Sequence, residues 1–277
     1  MNTTSHDDRP TLVIAGTGKT GRRVVARLRD RGLPVRVGSR SGEPPFDWTD
    51  ESTWAPVLQG VRAVYIPYPD LVLAEPTKAT RAFAELAIEQ GADRLVMLTG
   101  RGEDEAQRAE RELMATGADV TIVRCAWFMQ IFSEDYLLDP ILAGEVFLPA
   151  TESQREPFVD ADDVADVAVA ALTEPGHAGQ VYELTSPELL SFPEAVAEIA
   201  KARGKDIAYV PLSVEEYAAG AAEADLPAEI VDFLTYLFRD VVGVQDFVTD
   251  GVRRALGREP RSFRDFAERT AATGVWE

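Results

Sequence analysis

Residues 16–21 read Gly-Thr-Gly-Lys-Thr-Gly, a spacing with which a backbone turn can close around a pyrophosphate. Side chains larger than hydrogen would block the anion's approach, and the N–H groups opening the following helix carry the partial positive charge that meets it. The chemistry of such a turn is the binding of a dinucleotide through Gly16, Thr17, Gly18, Lys19, Thr20 and Gly21. The same glycine spacing also occurs in plain strand-to-helix turns, so context decides. Here the apolar run Thr11–Ala15 precedes the turn, and a helix-like segment with Val24, Val25 and Leu28 among arginines follows it. A second strand, 33–38, comes close behind.

The end of that second strand selects the dinucleotide. An NAD site usually offers a carboxylate there for the ribose hydroxyls. This sequence has Gly38-Ser39-Arg40-Ser41-Gly42, with no acid before Glu43. Ser39 and Arg40 suit a 2′-phosphate, since a guanidinium pairs with phosphate in a fork geometry. Arg36 and Lys19 could add charge, and the expected cofactor is NADP (NADPH). The plainer alternative is an arginine at the surface with no ligand.

These residues need a scaffold, and the rest of the chain supplies one. Strand-like runs at 61–66, 94–99, 120–124 and 181–184 alternate with helical patterns at 76–89, 103–115 and 160–172. That alternation predicts an α/β fold with a doubly wound parallel sheet of the Rossmann type. Residues 10–155 form the predicted nucleotide-binding domain, to which the helix 160–173 and the strand 181–184 return. Beyond residue 186 the pattern turns mainly helical (192–203, 214–224, 228–237 and 263–270), with 207–210 as one possible strand. This predicts a smaller C-terminal substrate lobe over 186–277. The polar residues 1–9 read as a disordered tail.

Composition narrows the partners. A net charge of −19 repels a phosphate backbone and argues against nucleic acid. The chain has no apolar run long enough to span a membrane and no apolar leader. Cys125, the single cysteine, cannot form an internal disulfide, which fits a reducing cytoplasm, and a buried inert thiol is its expected state. His6 in the tail and His177 in a loop leave no set of transition-metal ligands. Asp160, Asp162 and Asp163 open a helix and suit its dipole. The expected partner is a small molecule, with a homodimer left open.

Several segments resemble the NmrA-like group of atypical short-chain dehydrogenases. Ala15 to Gly21 matches its glycine motif, with Ala15 in place of the first glycine, and Phe46-Asp47-Trp48 falls where the group has an adenine-contacting Asp. The segments 158–165 (Phe-Val-Asp-Ala-Asp-Asp-Val-Ala) and 184–191 (Leu-Thr-Ser-Pro-Glu-Leu-Leu-Ser) match two further motifs. Within the group the chain is similar to the festuclavine dehydrogenase type of ergot alkaloid pathways. The similarity rests on residues 37–41, 46–48, 187–191 and 262–268 and implies NADPH-dependent reduction of an iminium or related conjugated bond. The group also contains quinone reductases and redox-sensing regulators without turnover. The resemblance adds Asp47, Trp48, Pro67, Tyr68, Thr99, Gly100 and Trp127 to the expected cofactor contacts, with Thr99-Gly100 and the segment around Trp127 flanking the nicotinamide.

Short-chain dehydrogenases usually pair Tyr and Lys in Tyr-x-x-x-Lys, the phenol donating a proton. None of the seven tyrosines here has lysine four residues on. A ketone would need that acid, whereas an iminium becomes a neutral amine and a quinone gives a stabilised anion, so positioning alone could serve. An apolar wall of Trp127, Phe128, Phe132, Tyr136 and Phe158, with Tyr68, would suit an aromatic or conjugated substrate, although each ring taken singly is more often core. Tyr68, Tyr136 and Asp135 are the only candidate proton donors or cation stabilisers. A reductase is the first reading and a non-catalytic NADP(H)-binding redox sensor the alternative.

Overall fold

A computed structural model describes residues 8–69, 72–223 and 227–277. Residues 1–7 of the predicted tail, including His6, lie outside the described residues, as does Ala224 at the end of a predicted helix. Arg9, assigned to the tail, is held instead: it pairs with Asp93 and donates to the Gly91 carbonyl at 3.0 Å.

The first half is a run of alternating elements: β1 (Thr11–Ile14), α1 (Gly21–Asp30), β2 (Val35–Gly38), the short α2 (Trp54–Leu58), β3 (Ala63–Pro67), α3 (Pro76–Glu89), β4 (Arg94–Gly100), α4 (Asp104–Met114) and β5 (Asp119–Cys125). The second half adds α5 (Leu138–Ala143), β6 (Glu145–Leu148), β7 (Arg155–Glu156), α6 (Ala161–Thr173), β8 (Val181–Leu184), β9 (Leu190–Ser191) and α7 (Phe192–Arg203). It ends with β10 (Ala208–Pro211), α8 (Val214–Glu223), α9 (Ala228–Tyr236), α10 (Gly251–Leu256) and α11 (Phe263–Ala271).

Six strands form one parallel sheet in the order β2-β1-β3-β4-β5-β8. Its strands are apolar on both sides because both faces are covered. Val13 points into a core shared with Val24, Leu28, Val164 and Val252, from α1, α6 and α10. Its neighbours Leu12 and Ile14 point the other way, into a core with Trp54, Phe83 and Leu113 from α2, α3 and α4. The strand order reverses between β1 and β3, and the crevice beyond the carboxyl ends at such a reversal is where ligands bind in these sheets.

A third core, rich in aromatic rings, holds the lobe together. Phe132, Phe158, Phe192, Phe238, Phe263, Phe266 and Trp276 are buried in it, and the Trp276 indole N–H donates to the Phe132 carbonyl at 2.9 Å. The predicted lobe of 186–277 therefore needs redrawing. Residues 129–158 contribute to its core, and β6 pairs with β10. In the other direction, α10 packs on the sheet through Val252.

Helix α6 is the joint between these parts. Fully buried Asp160 caps it, accepting from the Asp162 N–H and the Gln130 amide at 2.8 Å each and from Arg269 at 2.5 Å. Asp162 pairs with Arg27 of α1 at 2.7 Å, and Asp163 with Arg258 at 2.7 Å and with Arg261. The acidic motif thus ties sheet, lobe and C-terminal segment together, each carboxylate being met by arginine. Among the described residues, no helix is long and apolar enough to cross a membrane.

Candidate functional site

The glycine turn is shaped by contacts that fix two of its three glycines. A Cβ on Gly21 would stand 2.1 Å from the Ala15 carbonyl oxygen, and one on Gly16 would stand 2.9 Å from Val37 and 3.0 Å from the Val13 carbonyl. These two let the turn fold back tightly on β1 and β2. Gly18 is different in degree: a Cβ there would meet only Ala15, tightly at the carbonyl oxygen (3.2 Å) and loosely at its Cβ (3.9 Å), so it is less closely hemmed in than the other two. Ala15 takes the left-handed backbone with φ of +50°, which glycine adopts more readily. Helix α1 opens without an acidic residue in its first turn and without a side-chain cap, leaving that end to an anion.

The positive groups around the turn are already engaged. Lys19 pairs with Asp135, Arg22 with Glu134, and Arg23 with Glu134 at 2.5 Å. Burial raises the Glu134 carboxyl, but Arg23 and Arg22 outweigh it and hold the group below its ordinary range. The dipeptide Glu134-Asp135 therefore bridges from the lobe to the rim of the turn. Arg36 is committed elsewhere, donating to the carbonyls of Val57 at 2.8 Å and Gln59 at 2.7 Å, so the strand does not supply the extra charge expected of it. Arg40 is exposed, with no hydrogen bond or ion pair among the described residues. Asp47 accepts from the Thr49 N–H at 2.9 Å and hydroxyl at 2.8 Å, and these bonds lower its pKa. Trp48 packs edge-on against Phe46, Trp54 and Phe83, which makes it as much a core residue as a ligand platform.

A cavity of about 280 Å³ lies beyond the ends of β3, β4 and β5. It brings together Lys19, Pro67, Tyr68, Thr99, Gly100, Trp127, Phe128 and Asp135 from the sequence-based set. A larger groove of about 790 Å³ between α3, α4 and α9 adjoins it, sharing Tyr68, Glu103 and Phe233. Phe132 and Phe158 are corrections. Both are fully buried and stack on Phe192 and Phe263 in the lobe's core, so they back the wall without forming it. Tyr136, 38% exposed, does not line the cavity. Of the other candidate donors, Asp135 is ion-paired with Lys19, and the Tyr68 hydroxyl lies 3.0 Å from that of Thr77. The Thr99 hydroxyl donates to Glu110 at 2.6 Å, so that proton is not free for a ligand.

Two lining residues carry signals that no motif announced. Glu156, on the two-residue β7, is 5% exposed, and burial pushes its carboxyl up to about 7 against a hydrogen bond from the Gly243 N–H. Arg101, just past β4, is 6% exposed and held by a chain of charges behind the cavity: Glu110 pairs with Arg124, Arg124 with Glu183, and Glu183 with Arg101 at 3.5 Å. Cys125 also lines the cavity, and burial pushes its thiol well up, which keeps it protonated.

The glycine turn, the acid-free start of α1 and exposed Arg40 fit a dinucleotide with a 2′-phosphate. The profile of the NAD(P)H-binding family matches residues 15–175, more than half of the chain. The chain belongs to the NAD(P)H-binding family. It is 31% identical to the uncharacterized oxidoreductase YesF of Bacillus subtilis, over 96% of this chain and 98% of that one. It is 30% identical to a festuclavine dehydrogenase of Aspergillus fumigatus, over 94% and 97%. Among solved structures, an NADPH-dependent quinone oxidoreductase of Escherichia coli, complexed with NADPH, superposes with a TM-score of 0.76. It has 21% identity and covers 94% of this chain and 99% of that one. With oxidoreductases matching along its whole length, this member of the NAD(P)H-binding family is an NAD(P)-dependent oxidoreductase.

Proposed function

We propose that the chain is an NADPH-dependent reductase that passes hydride to an iminium, conjugated or quinone-type small molecule without a Tyr-Lys pair. The observation that carries this reading is the cavity joining Lys19 of the glycine turn to an aromatic wall at the strand ends. The turn, Ser39 and Arg40 hold the cofactor's phosphates, with Asp47 and Trp48 toward the adenine. Pro67, Tyr68, Thr99, Gly100 and Trp127 flank the ring that reacts. When bound, NADPH supplies the hydride. Trp127 and Phe128 exclude water and set a planar acceptor against that ring, and orientation of this kind contributes several kcal/mol.

The missing Tyr-Lys pair favours one other reading, a redox sensor that binds NADP(H) without turnover. A single assay separates the two: NADPH absorbance is followed with a panel of quinones, enones and cyclic iminium ions. Oxidation with one class supports the reductase. Tight NADPH binding without oxidation of any panel member would replace it with the sensor.

A further inference from the structure

Glu156 and Arg101 have no part in the hydride transfer, although both lie in the cavity wall. One Glu156 carboxylate oxygen accepts from the Gly243 N–H at 2.6 Å. The group is otherwise buried, sharing the cavity wall with Trp127, Phe128 and Val241. The charges acting on it are Arg101, which favours its ionised form, and Asp246, which opposes it. Its neighbour Arg155 pairs instead with Glu194 at 2.5 Å. Lys19, Asp135 and Glu103 stand elsewhere around the same cavity.

Arg101 forms no ion pair with Glu156 among the described residues. Its Nη1 donates to the Gln245 carbonyl at 2.8 Å, and Phe247 lies 4.2 Å from its guanidinium carbon. Nη2 is buried with no hydrogen-bond partner. A buried, unanswered N–H on a cation, beside an acid held near neutrality, is what an oxygen gaining negative charge would complete.

We propose that Glu156 is the proton donor of the reaction and Arg101 the anchor for the acceptor's oxygen, so that the acceptor is a quinone or conjugated carbonyl. The proposal rests on the reductase reading. The acceptor gains a hydride, two electrons and a proton, from the nicotinamide, which is left oxidised, and the developing oxyanion is met by Arg101. The O–H bond of the Glu156 carboxyl breaks as an O–H bond forms on that oxygen, and solvent then reprotonates the carboxylate. An iminium has no use for either group. It becomes a neutral amine on taking hydride, and its positive charge is repelled by Arg101.

The test compares wild type with Glu156→Gln, which keeps an acceptor for the Gly243 N–H, on a benzoquinone and on an N-alkylated cyclic iminium. With the quinone, kcat/KM of the variant should fall roughly 100-fold, in the range of general acid catalysis, and the wild-type decline above neutral pH should flatten. NADPH affinity and any turnover of the iminium should stay within a factor of about three, since neither uses the donated proton. In the cofactor-free protein, infrared spectra should show a protonated carboxyl band that titrates near neutral pH and is absent from the variant. Equal losses on both acceptors, unchanged quinone reduction, or no such band would overturn the proposal. Should Glu156→Gln fold poorly, Arg101→Gln must raise KM for the quinone while leaving the band in place, and failure of either overturns it as well. Wild-type protein that oxidises NADPH with neither acceptor would instead defeat the reductase reading, while the infrared result would still report on Glu156.

Discussion

The three glycines within the six-residue turn do not all do the same job. At Gly21 the methyl of an alanine would collide with the backbone of Ala15 at 2.1 Å, and neither partner can move without opening the turn. Gly21→Ala should therefore cost about 2 kcal/mol or more of stability and abolish NADPH binding. Gly18→Ala adds a methyl that presses on one atom, the Ala15 carbonyl oxygen at 3.2 Å. Its melting temperature should fall less than that of Gly21→Ala, while NADPH affinity drops about tenfold, or 1.4 kcal/mol, because the methyl occupies the anion's approach. Calorimetric binding and thermal melts of the two variants check the contrast. Equal losses of stability would show that Gly18 is a packing glycine too. Arg40 makes a separate prediction. A charge-assisted bond to phosphate contributes about 1.5–3 kcal/mol, so Arg40→Ala should weaken NADPH binding by ten- to a hundredfold and leave NADH binding unchanged. An equal effect on both cofactors would remove Arg40 from the 2′-phosphate.

Among the elements, α6 explains why an acidic motif sits far from any chemistry. Asp163 is fully buried and accepts from the Arg261 N–H at 2.7 Å as well as from Arg258 and Arg261 side chains. Removing one partner of a buried pair strands the others. Asp163→Ala should lower unfolding free energy by about 3 kcal/mol, measured by denaturant titration, with NADPH affinity preserved in the folded fraction. A loss below about 1 kcal/mol would mean that the arginines reach solvent freely. The long helices were legible because period and burial agree in them: α3 and α7 have the bounds that the apolar pattern predicts. Short ones were legible where an apolar run marks them, as in β8 (Val181–Leu184), but not elsewhere. The four-residue β6 becomes a strand only by pairing with β10 across some sixty intervening residues, and α2 is a pentapeptide interrupted by Pro56. Glu156 was hidden for the same reason. Its strand has two residues, and its burial is made by a turn at Gly243, 87 positions further on.

Across the whole molecule, the family and cofactor were readable because a glycine turn between strand and helix is a local device, spelled out in consecutive residues. The acceptor site is assembled instead from strand ends, β7 and the helical lobe, and no short stretch encodes it. This is why Phe132 and Phe158 looked like wall and turned out to be core. The molecule's charge of −19 bears on the same cleft, since an anionic cofactor reaches it through an unfavourable field. Lys19 is the local answer, and it enters the encounter already bonded to Asp135 from the opposite side of the cleft. A phosphate that draws Lys19 away frees Asp135 and loosens one of the pairs that hold the lobe to the turn, those of Arg22 and Arg23 with Glu134 remaining, whereas an uncharged acceptor has no means of doing so. The expected consequence is an ordered mechanism, nucleotide first and acceptor second. In steady-state kinetics, a non-reducible acceptor analogue should inhibit uncompetitively against NADPH, and noncompetitive lines would mean that entry is random.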